Sequence, residues 1–486
     1  MGKLAFLDSA IIVIYLGAML LLGLYANRKQ QGIEDYYVAG RKLNSFTIAA
    51  LWLSSWVGGA SIIGASEKAY SIGLSAVWFV GSIAIGLIIF GVSFPPLIKR
   101  LGDSLRNLTY PDLIEARYGP VARIAATVTT ILAYIAYTAS QFSAMGVILY
   151  ALTGWSMEIN FLVAAVVTIS YTALGGYLAV TYTDMAQALL LLVGVVIVGI
   201  PVSLDLMRDA GASFRDLPDS FLSLGNWDWL SLAALSLSTI FSFFTSMDSY
   251  TRCYAAKDER SAQRGTLLAL VGVVAIAAAS TVFGLVSKTL MPDIAGGSNS
   301  LAELILRFFP TGIKGLVLVG IIAAIMDTGD ICILTASANV TRDIYQRFLK
   351  PQASEKHLVR LGMFASVGIG VLSLALAWYM DDIINILLLA FTINSAGLFL
   401  PTVVGLFWKR ASAKAAVGSM VSALIIVMIW FILGEAGAGG IFALDPLWPG
   451  FIGSAIVFFA ISLLDNQSLQ EQESFRSFQE KTRSAG

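Results

Sequence analysis

Apolar runs of roughly 20 residues recur along the whole chain, and each is long enough to cross the hydrocarbon core of a bilayer as a helix. A lipid interior offers no water to a backbone N–H or C=O, so such segments must satisfy their own backbone. Thirteen runs are read, near 5–27, 45–73, 76–98, 122–151, 158–178, 183–204, 229–251, 265–287, 313–340, 358–380, 384–408, 413–434 and 448–465. Charged residues make up 13% of the chain and hydrophobic ones 57%, with a mean hydropathy of +0.79. Ordinary globular proteins carry about 25% charge. The expectation is an all-α polytopic membrane protein. The first run ends at Asn27-Arg28-Lys29 with no small-residue cleavage site, so it reads as a span rather than a removable signal. The zero formal net charge leaves no footprint for nucleic acid. Cys253 and Cys332 form no disulfide framework, and the single His357 sits in a polar loop, which argues against a histidine-held metal.

The basic residues set an orientation, because Lys and Arg collect in cytoplasmic loops. With the N-terminus outside, most of the 31 Lys and Arg residues fall inside. They include Arg41, Lys99, Arg100, Arg117, Arg123, Arg252, Arg342, Arg347, Lys409 and Lys414. An odd number of spans then places the C-terminus inside. The polar tail from Asp465 reads as cytoplasmic.

Charge inside the runs is rare, which makes its position informative. Asp327-Thr328-Gly329-Asp330 interrupts an otherwise apolar segment, and a carboxylate at mid-membrane costs about 3 kcal/mol. Asp184 and Asp248 join it from other segments. Such residues point to an ion or substrate path. Segments two and seven also depart from oily helices. Segment two holds Ser54-Ser55-Trp56-Val57-Gly58-Gly59-Ala60-Ser61, and each glycine weakens a helix by roughly 1 kcal/mol relative to alanine. Segment seven holds Ser242-Phe243-Phe244-Thr245-Ser246-Met247-Asp248-Ser249-Tyr250. Interrupted helices in matching halves mark the central site of a transporter. Close helix packing through small residues is the other reading of Gly58-Gly59.

Several short stretches, in order, resemble the sodium–solute symporter family. They are Asp35-Tyr36-Tyr37-Val38-Ala39-Gly40-Arg41-Lys42-Leu43, Ala69-Tyr70-Ser71-Ile72-Gly73-Leu74, Tyr110 to Tyr118, Gly175-Gly176-Tyr177 with Tyr182-Thr183-Asp184-Met185-Ala186-Gln187, and Asp343-Ile344-Tyr345. The resemblance implies a LeuT-type five-plus-five inverted repeat working by alternating access. The corresponding division is 1–44 (leading helix and first inside loop), 45–205 (first repeat), 206–228 (outside loop), 229–410 (second repeat), 411–465 (two additional helices) and 466–486 (cytoplasmic tail). It also implies a shared sodium site, with carbonyl donors at Ser54 and Val57 and ninth-span positions at Ala324, Asp327 and Thr328. These last three share one helix face. The family usually has serine where Asp327 stands, so a proton is an alternative coupling ion. Asp184 matches an aspartate that some members use for a second sodium; as a residue near a helix start it is also favoured by the macrodipole.

The stretch around Trp56 is similar to that of high-affinity choline transporters, where this tryptophan lines an aromatic site for a quaternary ammonium. Tyr137 takes the place of a second aromatic, and Ser246 stands near a missing third. With Ser61, Gln141 and Asp248 these form the candidate solute set. No intramembrane Lys or Arg is evident, so a small amine or other cationic solute is one expectation and a neutral or zwitterionic solute the other. The function expected is sodium-coupled symport of a small organic solute across a bacterial plasma membrane, with no enzymatic activity. A solute sensor on the same fold is the alternative. An intramembrane aspartyl protease would need Gly-x-Gly-Asp, and Asp327-Thr328-Gly329-Asp330 lacks its first glycine.

Overall fold

The computed structural model describes residues 4–27, 38–294, 299–380, 382–465, 467, 471–472, 475–476 and 478–480. Asp35, Tyr36 and Tyr37, the basic residues Lys3, Arg28, Lys29, Lys481 and Arg483, and most of the tail lie outside the described residues.

The described chain is helical throughout. In order, the helices are α1 (Phe6–Asn27), α2 (Ser45–Trp56), α3 (Ala65–Ile72), α4 (Val77–Leu105), α5 (Tyr110–Tyr118), α6 (Pro120–Thr153), α7 (Met157–Leu191), α8 (Ile200–Asp209) and α9 (Trp229–Phe243). They continue as α10 (Met247–Ala255), α11 (Glu259–Leu290), α12 (Ser300–Phe308), α13 (Ile313–Ala338), α14 (Glu355–Tyr379), α15 (Ile383–Phe399), α16 (Ala413–Glu435) and α17 (Leu447–Leu464). Ten helical stretches among the described residues are long and apolar enough to cross a membrane, with shorter apolar helices at Phe6–Met19 and Met157–Ser170. Each of the thirteen apolar runs is largely helical. Gly176, at φ 61° and ψ −176°, breaks the helical path and divides α7 into two helical parts, and a wide turn at Leu192–Gly199 joins the second part to α8.

Side chains set where helices begin. Asn44 caps α2 by accepting from the N–H groups of Phe46 (2.9 Å) and Thr47 (3.0 Å). Asp228, Asp258 and Asp382 cap α9, α11 and α15 in the same way. Such caps satisfy donors that the first helical turn leaves free.

α13 is the centre of the bundle. It packs against α7, α6, α1 and α14, and all but two of its residues are buried. A helix that is apolar all round belongs in an interior. α11 lies across α4, α2 and α3. A Cβ at Gly284 would come within 2.8 Å of the Tyr70 N and meet the Ser66 carbonyl, so this contact needs the bare backbone. α1 is fastened to α13 by Asp8, whose Oδ1 accepts from the N–H groups of Gly312 (2.8 Å) and Gly315 (2.9 Å).

Four basic residues expected in loops are buried instead. α4 runs on to Leu105, so Lys99 sits in a helix and reaches Asp103 at 2.8 Å. Arg117 donates to the carbonyls of Gly405, Trp408 and Ala411. Arg123 is enclosed by Asp112, Glu115 and Asp343, and Arg252 lies inside α10.

Candidate functional site

Two helical segments break, and the breaks meet. α2 ends at Trp56; Val57 leaves the helical region (φ −115°, ψ 74°), and a wide turn over Ala60–Gly64 leads into α3. Gly58 is required here. A Cβ on it would lie 2.5 Å from Gln141 Oε1 and 2.7 Å from Thr328 Oγ1, so α6 and α13 both press on this backbone. The second break is Phe244-Thr245-Ser246, between α9 and α10. Side chains take up the freed carbonyls: Ser61 Oγ donates to Trp56 O at 3.2 Å, and Tyr250 OH to Phe244 O at 2.7 Å. Interrupted helices are tolerated at membrane depth where side chains re-satisfy the backbone.

One side of the α2 break is rich in oxygen. Thr328 Oγ1 donates to the carbonyls of Ser54 (2.8 Å) and Ala324 (2.9 Å). Ser54 Oγ donates to Asp184 Oδ2 at 2.9 Å, while the other Asp184 oxygen is buried without a partner. Asp327, beside Thr328 on α13, is fully buried, and neither of its carboxylate oxygens has a hydrogen-bond partner. The structure therefore brings Ser54, Ala324, Thr328 and Asp184 into one hydrogen-bonded group, with Asp327 on the same turn and Val57 at the break. Unpaired carboxylate oxygens beside carbonyl and hydroxyl oxygens suit a small hard cation, which takes oxygen ligands. Buried charge without a partner is otherwise very costly.

The other side is aromatic. The Trp56 ring stacks on Phe243 with centroids 3.7 Å apart and faces Phe391 at 5.5 Å; Tyr137 meets Phe391 edge-on at 5.5 Å. Tyr137 OH donates to Ser55 O at 2.8 Å. Gln141 Oε1 accepts from the Gly59 N–H at 2.9 Å, and its amide nitrogen donates to Ser140 Oγ. Ser246 Oγ accepts from Asn394 Nδ2 at 3.0 Å. Trp56, Tyr137, Gln141, Ser61, Ser246 and Asp248 thus converge on the two breaks. Phe243, Phe391, Tyr134 and Asn394 complete the group and were not singled out from sequence. Nothing in an apolar run distinguishes a phenylalanine at the breaks from one elsewhere in the core.

Asp248 requires a correction. Its Oδ2 accepts from Trp56 Nε1 at 2.9 Å and from Arg252 Nη1 at 2.8 Å, and its Oδ1 accepts from Tyr134 OH. The expectation of no intramembrane Lys or Arg fails, because Arg252 is wholly buried beside it. The i, i+4 spacing of Asp248 and Arg252 on one helix was the signal available in the sequence. This pairing neutralises the carboxylate that was to attract a cationic solute.

Two broken helices that meet at a buried oxygen cluster and a packed group of aromatic rings fit a secondary carrier of the membrane. The family profile described as "Sodium:solute symporter family" matches residues 36–425. The chain belongs to the sodium:solute symporter family: it is a membrane transporter and not an enzyme, and sodium is its coupling ion. Sodium/proline symporters are similar to it, one from Haemophilus influenzae at 30% identity over 94% of both chains. Another, from Escherichia coli, is 27% identical over 93% of this chain and 92% of its own. Among solved structures, the outward-open, substrate-bound Na+-coupled sialic acid symporter superposes with a TM-score of 0.78 at 21% identity, covering 96% of this chain and 99% of its own. A nucleobase-cation-symport-1 family transporter in a closed conformation gives a TM-score of 0.56 at 14% identity, over 91% of this chain and 98% of its own. These two likenesses show the fold.

Proposed function

We propose that the chain carries a small neutral or zwitterionic solute of the amino-acid class into a bacterial cell, driven by sodium entering with it. The observation that carries the solute class is the Asp248–Arg252 pair, which leaves the aromatic residues at the breaks without a free charge of either sign. The similar sodium/proline symporters favour L-proline or a close analogue as the first solute to test. A cationic solute would meet Trp56 and Tyr137 but no available carboxylate beside them. Sodium would be held by the carbonyls of Ser54, Val57 and Ala324, the hydroxyl of Thr328 and the carboxylate of Asp327, with Asp184 as a second cation ligand. The five-plus-five division, thirteen spans and N-out orientation are part of this reading. The contacts of Arg41 with Gly102 and Asn107, of Arg100 with Glu259, and of Arg347 with Glu115 support it by joining loops assigned to the inside.

Uptake of labelled L-proline into proteoliposomes, with an inward sodium gradient against an equal potassium gradient, tests this. Sodium-dependent uptake, competed by small zwitterions more than by size-matched amines, is the expected result. Stronger competition by amines would restore the cationic reading and leave the symporter intact.

One observation favours a second reading of the coupling. A fully buried carboxylate with both oxygens unpaired, at Asp327, is suited to carrying a proton as well as a cation. Uptake driven by an inward proton gradient without sodium would show this, and Asp327→Ser should abolish that component alone.

A further inference from the structure

Arg252 belongs to neither the oxygen cluster nor the aromatic group, yet it touches the backbone that joins them. Its Nε donates to Leu51 O at 2.9 Å, its Nη1 to Asp248 Oδ2 at 2.8 Å, and its Nη2 to Ser55 Oγ. The guanidinium carbon lies 5.3 Å from the centre of the Trp52 ring. Leu51 lies one turn before the end of α2, and its carbonyl also takes the Ser54 and Ser55 hydroxyls. Arg252 therefore fastens the end of α2 to the start of α10.

Three consecutive residues beyond Leu51 divide the work of the site. The Ser54 carbonyl faces Thr328 and its hydroxyl faces Asp184. The Ser55 hydroxyl takes Arg252, and its carbonyl takes Tyr137. The Trp56 indole donates into the same Asp248 oxygen that Arg252 holds. A displacement of the Ser54 carbonyl cannot leave Ser55 and Trp56 in place, because one helical turn contains all three.

We propose that Arg252 is a positioning residue that transmits sodium binding at Ser54 to the placement of Trp56 against Phe243 and Phe391. It rests on the reading of Ser54, Asp327 and Thr328 as sodium residues. A cation that draws the Ser54 carbonyl toward α13 rotates the last turn of α2 against the fixed guanidinium. Asp248 then passes the movement to the indole. The planar fork matters, because it presents several donors in one rigid geometry, which an ammonium group does not.

The test uses the full chain with Cys253→Ala and Cys332→Ala, so that a single cysteine at Ser246→Cys reports exposure of the α9–α10 break. Sodium binding is read separately, as the rise in thermal midpoint in NaCl over KCl. In the parent, sodium should change the alkylation rate of the cysteine by at least about threefold. Arg252→Lys should keep sodium stabilisation while the alkylation response falls to within about 1.3-fold of that in KCl. Ser55→Ala and Trp56→Phe each remove one link and should shrink the response in the same way, so the proposal stays testable if Arg252→Lys does not fold. A full response in Arg252→Lys, or in both single-link variants, overturns it. So does a parent that is stabilised by sodium without any alkylation response. Loss of sodium stabilisation together with the response in Arg252→Lys would make the residue part of the cation site or the fold, which also overturns it. A parent with no sodium stabilisation at all would remove the cation-site reading itself, and the link would fall with it.

Discussion

Asp248 and Asp327 are both aspartates at membrane depth, and their surroundings give them opposite roles. Asp248 is met by Arg252, Trp56 and Tyr134; Asp327 is met by no hydrogen bond. Removing the first charge strands a buried guanidinium, which costs on the order of 3–5 kcal/mol. Asp248→Asn should therefore lower the thermal midpoint sharply in sodium and in potassium alike. Removing the second charge relieves a desolvation cost and takes away an ion ligand. Asp327→Asn should leave abundance and thermal midpoint in potassium near those of the parent, or above them. Sodium-driven uptake should fall at least about tenfold. Uptake at normal sodium dependence in that variant would sink the assignment.

At the scale of elements, the two breaks depend on unlike residues. The α2 break needs Gly58, because α6 and α13 converge on its missing side chain. Gly58→Ala drives a methyl group into Gln141 and Thr328, and overpacking of this kind costs about 1–3 kcal/mol. Uptake should drop by about tenfold or more, with far-ultraviolet circular dichroism unchanged. The α9–α10 break contains no glycine and is held by Tyr250 and the threonine and serine hydroxyls. Both breaks were legible in the sequence, because glycine pairs and runs of hydroxyls are poor choices for an oily helix. Arg252 was not legible as a buried residue. It follows a polar stretch and precedes Lys257 and Arg260, so hydropathy reads it as the start of a loop. Phe243 and Phe391 were hidden for the opposite reason, since an aromatic ring in an apolar run carries no mark of what it packs against. The break at Gly176 was legible too, because Gly175-Gly176 reads as the end of one helical run before the next.

Over the whole molecule, charges gather at the end that the basic residues assign to the cytoplasm. Asp112 and Glu115 on α5 meet Arg123 of α6 and Arg342 and Arg347, which follow α13. Burial pushes both carboxyls up, but the neighbouring guanidinium groups outweigh it. Arg342 and Arg123 hold Asp112, and Arg347 and Arg123 hold Glu115, below the usual carboxylate range. A carboxyl depressed in the folded state adds stability that is complete above its unfolded value, near ~4, and is lost as the pH falls through the folded one. The thermal midpoint should decline between about pH 5 and pH 3, and Glu115→Gln should flatten that decline. An identical slope in the variant would place the acid-labile charges elsewhere. The burial of α13 bears on how such a carrier can move. A rod enclosed on every side, with α1 pinned along it through Asp8, has no free flank on which to swing. It is better placed as a stationary axle than as a rocker arm. The strokes of the machine then fall to the parts wrapped around it, and cargo passes along a shaft that stays put.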